Sequence, residues 1–169
     1  KDLLNWKFEG VALKAITDGR PLKDGKWFEK FRSNYLDVDN DALYPFGYGL
    51  SYTTFRFSDI TLNRSSIGMD NELVASVTVT NTGDRAGSEV VQLYIRDLVG
   101  SVTRPVKELK GFEKIYLQPN ESRTVRFTIA PEMLKFYNAD LKFVAEPGDF
   151  DVMIGPDSRN VKTARFTLH

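Results

Sequence analysis

Cysteine is absent from the 169 residues, which excludes disulfide staples, thiolate metal sites and cysteine nucleophiles. That absence fixes no compartment, because a chain with a large enough core needs no staple even where thiols oxidise. Histidine occurs once, at His169, the final position. A terminal imidazole suits a Ser-His-Asp arrangement poorly, since the base must be rigidly oriented. Zinc sites built from the usual His and Cys ligands are excluded with it. No window approaches the run of about 18 apolar residues that a membrane span requires, and no membrane partner is expected. An excess of charge is lacking too: 23 basic residues balance 23 acidic ones. The chain therefore has no general field to attract nucleic acid or an anionic surface. Residues 1–20 lack the basic-then-apolar pattern of a signal peptide. Neither a P-loop nor a dinucleotide fingerprint occurs, and no cofactor is expected.

What is present is an ordinary globular composition, 41% hydrophobic and 27% charged. The length suits one domain with an appended segment. Three zones separate. Residues 1–41 mix charge with Trp6, Phe8, Trp27, Phe28, Phe31 and Tyr35 around the turn-like DGRP (18–21) and KDGK (23–26). Their apolar spacing fits neither period, so an irregular segment with one short helix is expected. Residues 42–58 form a connector crowded with aromatic rings. In ALYPFGYGLSYTTF, Tyr44, Phe46, Tyr48, Tyr52 and Phe55 share fourteen positions with Pro45, Gly47 and Gly49.

From residue 59 onward the period is two, the mark of half-buried strands. Leu73, Ala75, Val77 and Val79 share a face opposite Ser76, Thr78 and Thr80. Val91, Leu93 and Ile95 alternate with Gln92, Tyr94 and Arg96, and Val125, Phe127 and Ile129 with Thr124, Arg126 and Thr128. Three further runs follow, on Leu141, Phe143 and Ala145, on Phe150, Val152 and Ile154, and on Ala164, Phe166 and Leu168. Turn chemistry separates them at NTGDRAG (81–87), QPNES (118–122), EPGD (146–149) and GPDSRN (155–160). The alternation slips by one at Gly111, predicting a bulge or bend, and PEMLKFYN (131–138) predicts a single helical turn opened by Pro131. Some seven short strands without long helices predict an all-β fold: an immunoglobulin or fibronectin type III-like two-sheet antiparallel sandwich over residues 59–169.

Chemistry is harder to find. DVDND places Asp37, Asp39 and Asp41 at the spacing that opens a calcium loop, but Ala42 stands where Gly is needed and Tyr48 where a bidentate Glu belongs. A solvated acidic turn is the favoured reading, a calcium site completed by other loops the alternative. A glycosidase-like pair needs two acids facing each other across a cleft. Asp84, Glu89, Asp97, Glu108, Glu113, Asp149 and Asp151 instead fall in turns and on polar strand faces, with nothing to mark two as convergent. NRS (63–65) and NES (120–122) match the N-glycosylation pattern, which chance also produces.

The blocks YPFGYGLSYTTF, VTVTNTGDRAGSEVVQLYIRD, RPVKELKGFEKIYLQPNES and AEPGDFDVMIGPDS, taken together, resemble the connector and C-terminal fibronectin type III-like domain of bacterial glycoside hydrolase family 3 β-glucosidases and β-xylosidases. The resemblance covers roughly residues 42–169; TDGRPL and KFRSNYLDVDN look like the family's stretch just upstream, whereas residues 1–16 do not, which points to a truncated or altered start. The resemblance implies a parent that hydrolyses glycosides with retention, using an Asp in an N-terminal barrel and an acid/base residue in the next domain. Neither maps onto this sequence, so no catalytic residue is expected here, and the parent's catalytic domains are the implied partner. It also implies a periplasmic or extracellular setting. By the same resemblance Tyr44, Pro45, Phe46, Tyr48, Tyr52 and Phe55 would dock against those domains, each large ring contributing about 1.5–3 kcal/mol on burial. Without that partner the chain is expected to self-associate or to wrap residues 1–58 around the sandwich. Two alternatives stay open: a carbohydrate-binding module, stacking sugars on exposed rings such as Tyr94, Tyr116 or Tyr137, and a protein-interaction sandwich.

Overall fold

The structure is a computed structural model that describes residues 41–169, together with the strand pairing of Leu22–Lys23 (β1) and Lys26–Trp27 (β2). The chain separates into two compact units, Lys1–Leu43 and Tyr44–His169. In the first, β1 and β2 pair antiparallel, Leu22 opposite Trp27 and Lys23 opposite Lys26. The short helix expected there, with Asp37 and Asp39, lies outside the described residues.

The second unit is a two-sheet sandwich with no α-helix among the described residues. Its strands are β3 (Phe55–Phe57), β4 (Thr61–Leu62), β5 (Ser66–Ile67), β6 (Leu73–Asn81), β7 (Gly87–Asp97), β8 (Glu108–Leu117), β9 (Ser122–Ile129), β10 (Phe136–Tyr137), β11 (Phe143–Val144), β12 (Gly148–Gly155) and β13 (Lys162–Leu168). One sheet has the order β5-β13-β12-β7-β8. In the other, β6 is central, with β9 along one edge while β3 and β4 share the opposite edge, at Val79–Asn81 and Ala75–Ser76. All pairings are antiparallel except β5 on β13.

Period-two patterning places the core. Leu73, Ala75, Val77 and Val79 on β6 meet Val91, Leu93 and Ile95 on β7 and Phe150, Val152 and Ile154 on β12, all buried. These residues are mostly β-branched or aromatic, which fit a pleated, half-buried surface. Phe150 and Phe166 lie opposite each other on β12 and β13 with ring centroids 5.4 Å apart. The slip at Gly111 is a β-bulge: Leu93 faces Gly111 and Tyr94 faces Leu109, leaving Lys110 unpaired in register. The helical turn at Pro131 is a 3-10 turn, Pro131–Leu134, with Leu134 buried.

One expected strand is largely missing. Leu141, Phe143 and Ala145 do not line a single strand; only Phe143–Val144 pairs, with Phe136–Tyr137. Asn138 explains the difference, because its Oδ1 accepts the backbone N–H groups of Asp140 and Lys142 at 3.0 Å and closes a tight hairpin. Leu141 sits at its tip with φ 60°, exposed. Side-chain capping has overridden the alternation.

Candidate interdomain surface

Beyond the pairing of β3 with β6 and the Ser58–Thr78 bonds, two buried side chains tie the connector to the sandwich. The first is Asn81, which closes β6 and is 0% exposed. Its Oδ1 accepts from Thr53 Oγ1 at 2.7 Å and Gly83 N at 3.0 Å, while its Nδ2 donates to the carbonyls of Arg85 at 2.7 Å and Leu117 at 3.1 Å. A buried amide so completely partnered avoids the cost of desolvated, unmade hydrogen bonds. Thr53 also explains two glycines of NTGDRAG: a Cβ on Gly83 would stand 2.3 Å from Thr53 Oγ1, and one on Gly87 2.6 Å from Thr53 Cγ2.

The second lies on the outer face of the five-stranded sheet, the face alternation assigns to solvent. Here the structure corrects the sequence: Gln92 and Tyr94 point outward from β7 yet are 5% and 2% exposed. Tyr94 is therefore no exposed stacking ring. Its hydroxyl donates to Gln92 Oε1 at 2.6 Å, and Gln92 Nε2 donates to the carbonyls of Gly47, at 3.1 Å, and Pro156. Ser158 N donates to the Phe46 carbonyl at 2.9 Å, and Lys107 Nζ to that of Ser158. The 156–160 loop is held by buried Asp157, whose Oδ1 accepts the Arg159 and Asn160 backbone N–H groups and whose Oδ2 accepts Asn160 Nδ2, each at 2.8 Å. Burial pushes this carboxyl up, but the Asn160 and Arg159 bonds and the Arg159 charge together hold it below its ordinary value.

Against this frame the ring-bearing connector residues divide. Tyr44 and Phe46 are each 66% exposed, Tyr48 is 44% and Tyr52 92%, whereas Pro45 is half-buried. Tyr44 and Tyr48 form a ring pair with centroids 5.1 Å apart, on a turn closed by Tyr48 N donating to the Pro45 carbonyl at 3.0 Å. Phe55 is half-buried in β3, packed against the core. Phe46 also forms one wall of an open apolar groove of about 500 Å³, with Tyr94, Val106 and Leu109 among its other linings. Of the remaining candidate stacking rings, Tyr116 stands on β8 and Tyr137 on the β10–β11 hairpin; they share no sheet.

Among the described residues, the carboxylates with bonded partners serve structural or surface contacts. Arg104 bonds Glu108 at 2.6 Å, lies 3.7 Å from Asp97, and sits 4.3 Å above the Phe136 ring. Burial chiefly raises the Asp97 carboxyl, aided by nearby Glu146 and Glu108, while the Val99 N–H and Arg104 offset part of the rise. Glu146 binds the Ser101 hydroxyl and N–H at 2.6 and 2.9 Å. Among the described residues no three acids and imidazoles gather as metal ligands, and exposed Asp41 stands apart from any such group. Sequence reasoning missed Gln92, Tyr94, Lys107 and Ser158 as a connector clasp. The one available signal was the amide and phenol placed side by side on one face of a strand.

Comparison with known proteins agrees with this geometry. Residues 89–158 match the fibronectin type III-like domain family. The chain is 52% identical to the periplasmic β-glucosidase of Salmonella typhimurium over 94% of its own length and 20% of that protein's, and 51% identical to a putative β-xylosidase of Formosa agariphila over 82% and 18%. The β-glucosidase of Listeria innocua, solved in complex with glucose, superposes with a TM-score of 0.78 at 40% identity, over 89% of this chain and 21% of that one. The chain thus spans about a fifth of the length of the relatives it matches. It belongs to the non-catalytic, fibronectin type III-like C-terminal part of the glycoside hydrolase family 3 β-glucosidases and β-xylosidases.

Proposed function

We propose that this domain stabilises a family 3 glycoside hydrolase, a retaining β-glucosidase, by docking on its catalytic domains through the connector. Tyr44, Phe46, Tyr48 and Tyr52 supply the contact rings, Pro45 stiffens the entry, and Phe55 roots the segment in the sandwich. The observation that carries this reading is the contrast along one short segment. Its backbone is bonded to the buried Gln92 side chain and to the Ser158 N–H, yet four large rings remain in water. Exposed apolar groups clustered in this way mark an interaction surface. The Salmonella relative is named periplasmic, which supports a periplasmic or extracellular setting.

The test is a chimera in which this chain replaces the matching segment of the Salmonella enzyme. Replacing Tyr44, Phe46, Tyr48 and Tyr52 together by Ser lowers the melting temperature of the chimera, while the same four changes leave that of the 169-residue chain unmoved. Equal effects in both proteins would refute docking.

A further inference from the structure

We propose that Gln92, Tyr94 and Gly47 form a latch that sets the connector in its docking shape before any partner arrives. The inference rests on the docking reading above and adds to it how the surface is made. The occupant is the catalytic portion of the same enzyme type, since the matched relatives continue far beyond the fifth of their length that this chain covers, and the connector is the segment that adjoins the sandwich.

Three observations converge. Gly47 has φ 79°, a conformation that side chains disfavour, and a Cβ there would lie 2.0 Å from Gln92 Oε1. The close approach of this backbone to Gln92 therefore requires glycine. Gln92 in turn is buried with both ends of its amide engaged, Nε2 by the Gly47 and Pro156 carbonyls and Oε1 by the Tyr94 hydroxyl. Burying an amide on a face that alternation leaves to solvent needs all of these partners, because a half-satisfied one is destabilising. Finally, Ser158 N holds the Phe46 carbonyl on the other side of the same turn.

These contacts fix main-chain atoms and leave the side chains of Phe46 and Tyr48 outward. A segment folded for its own stability would turn its rings in. Fixing the backbone first removes an ordering cost that would otherwise fall on association, so the rings meet their partner as a preformed surface. Phe46, Tyr94 and Ser158, all members of this contact set, also line the apolar groove.

The test is amide hydrogen exchange on the full 169-residue chain. The N–H groups of Tyr48 and Ser158 report the latch directly, since they donate to the Pro45 and Phe46 carbonyls. Both should be protected in the unaltered chain. In Gln92→Leu and Gly47→Ala they should exchange roughly tenfold faster, with β6–β9 amides unchanged. Gly47→Ala leaves every sandwich residue in place and acts on β7 only through its clash with the Gln92 side chain, so it decides the matter if Gln92→Leu unfolds the sandwich. Unprotected amides in the unaltered chain, or protection that survives Gly47→Ala, would overturn the latch. Because this readout uses the chain alone, a failure of docking in the chimera remains a separate result.

Discussion

Thr53 Oγ1 donates a 2.7 Å hydrogen bond to Asn81 Oδ1, joining the connector to the end of β6 across 28 positions of sequence. The same amide holds the 81–87 turn and reaches the Leu117 carbonyl on the opposite sheet. Asn81→Ala strands two donors and two carbonyls at a buried site. It should destabilise the chain by about 3 kcal/mol, since each orphaned buried group costs about 1–3 kcal/mol and some recover water. Urea unfolding followed by tryptophan-independent circular dichroism measures this. A loss under 1 kcal/mol, roughly the net worth of one hydrogen bond, would remove Asn81 as the junction.

Two acids should give opposite pH signatures. Glu89 is raised above its ordinary 4.5, first by burial and also by Asp157, with its bond from Val90 N–H offsetting part. A raised carboxylate opposes folding when ionised, and that penalty disappears as pH falls through the folded value toward the unfolded one. Glu89→Gln should therefore stabilise the chain at pH 7, with the gain gone below about pH 4.5. Asp157 is held below its ordinary 3.8 despite burial, so its contribution is present above that value and lost as pH falls through the lower folded one. Asp157→Ala should destabilise at pH 7 and matter progressively less under strong acid. Denaturation midpoints measured from pH 2 to 8 separate the two; curves of like sign would contradict the assignment.

Leu141 occupies the left-handed region at φ 60° and is 82% exposed, so its side chain returns little packing for the strain. Leu141→Gly should raise stability by about 1 kcal/mol, the usual penalty of a Cβ in that conformation. Thermal unfolding reads the change. A destabilised variant would mean that Leu141 packs on something in solution.

Tyr94 is buried and Tyr116 and Tyr137 stand on different sheets, so these three rings form no common flat row. Calorimetric titration with cello- and xylo-oligosaccharides at millimolar concentration should give no heat, and aryl β-glucosides should not be turned over. Saturable heat that Tyr137→Ala abolishes would restore the binding-module reading.

The sandwich was legible because inward residues recur every second position in β6, β7, β9, β12 and β13, and burial of one face enforces that period. The bulge was legible as a break in it. The hairpin at Leu141 was not, since a capping amide from Asn138 outweighed apolar alternation. Gln92 and Tyr94 misled for a related reason: alternation gives the direction of a side chain, not what another segment lays over it. Rings in the connector were conspicuous in the sequence, but which stay in water depends on Phe55 entering β3 and on where the clasp grips the backbone. Phe57, just beyond, also packs on the core, so a sandwich trimmed to residues 59–169 would lose a strand of its smaller sheet.

Oxidative footprinting measures the docking claim most directly. Hydroxyl-radical labelling of Tyr44, Phe46, Tyr48 and Tyr52 should be strong in the 169-residue chain and several-fold weaker in the chimera carrying the Salmonella catalytic portion, with Tyr137 labelled alike in both. Equal labelling of the four rings in the two proteins would contradict the account.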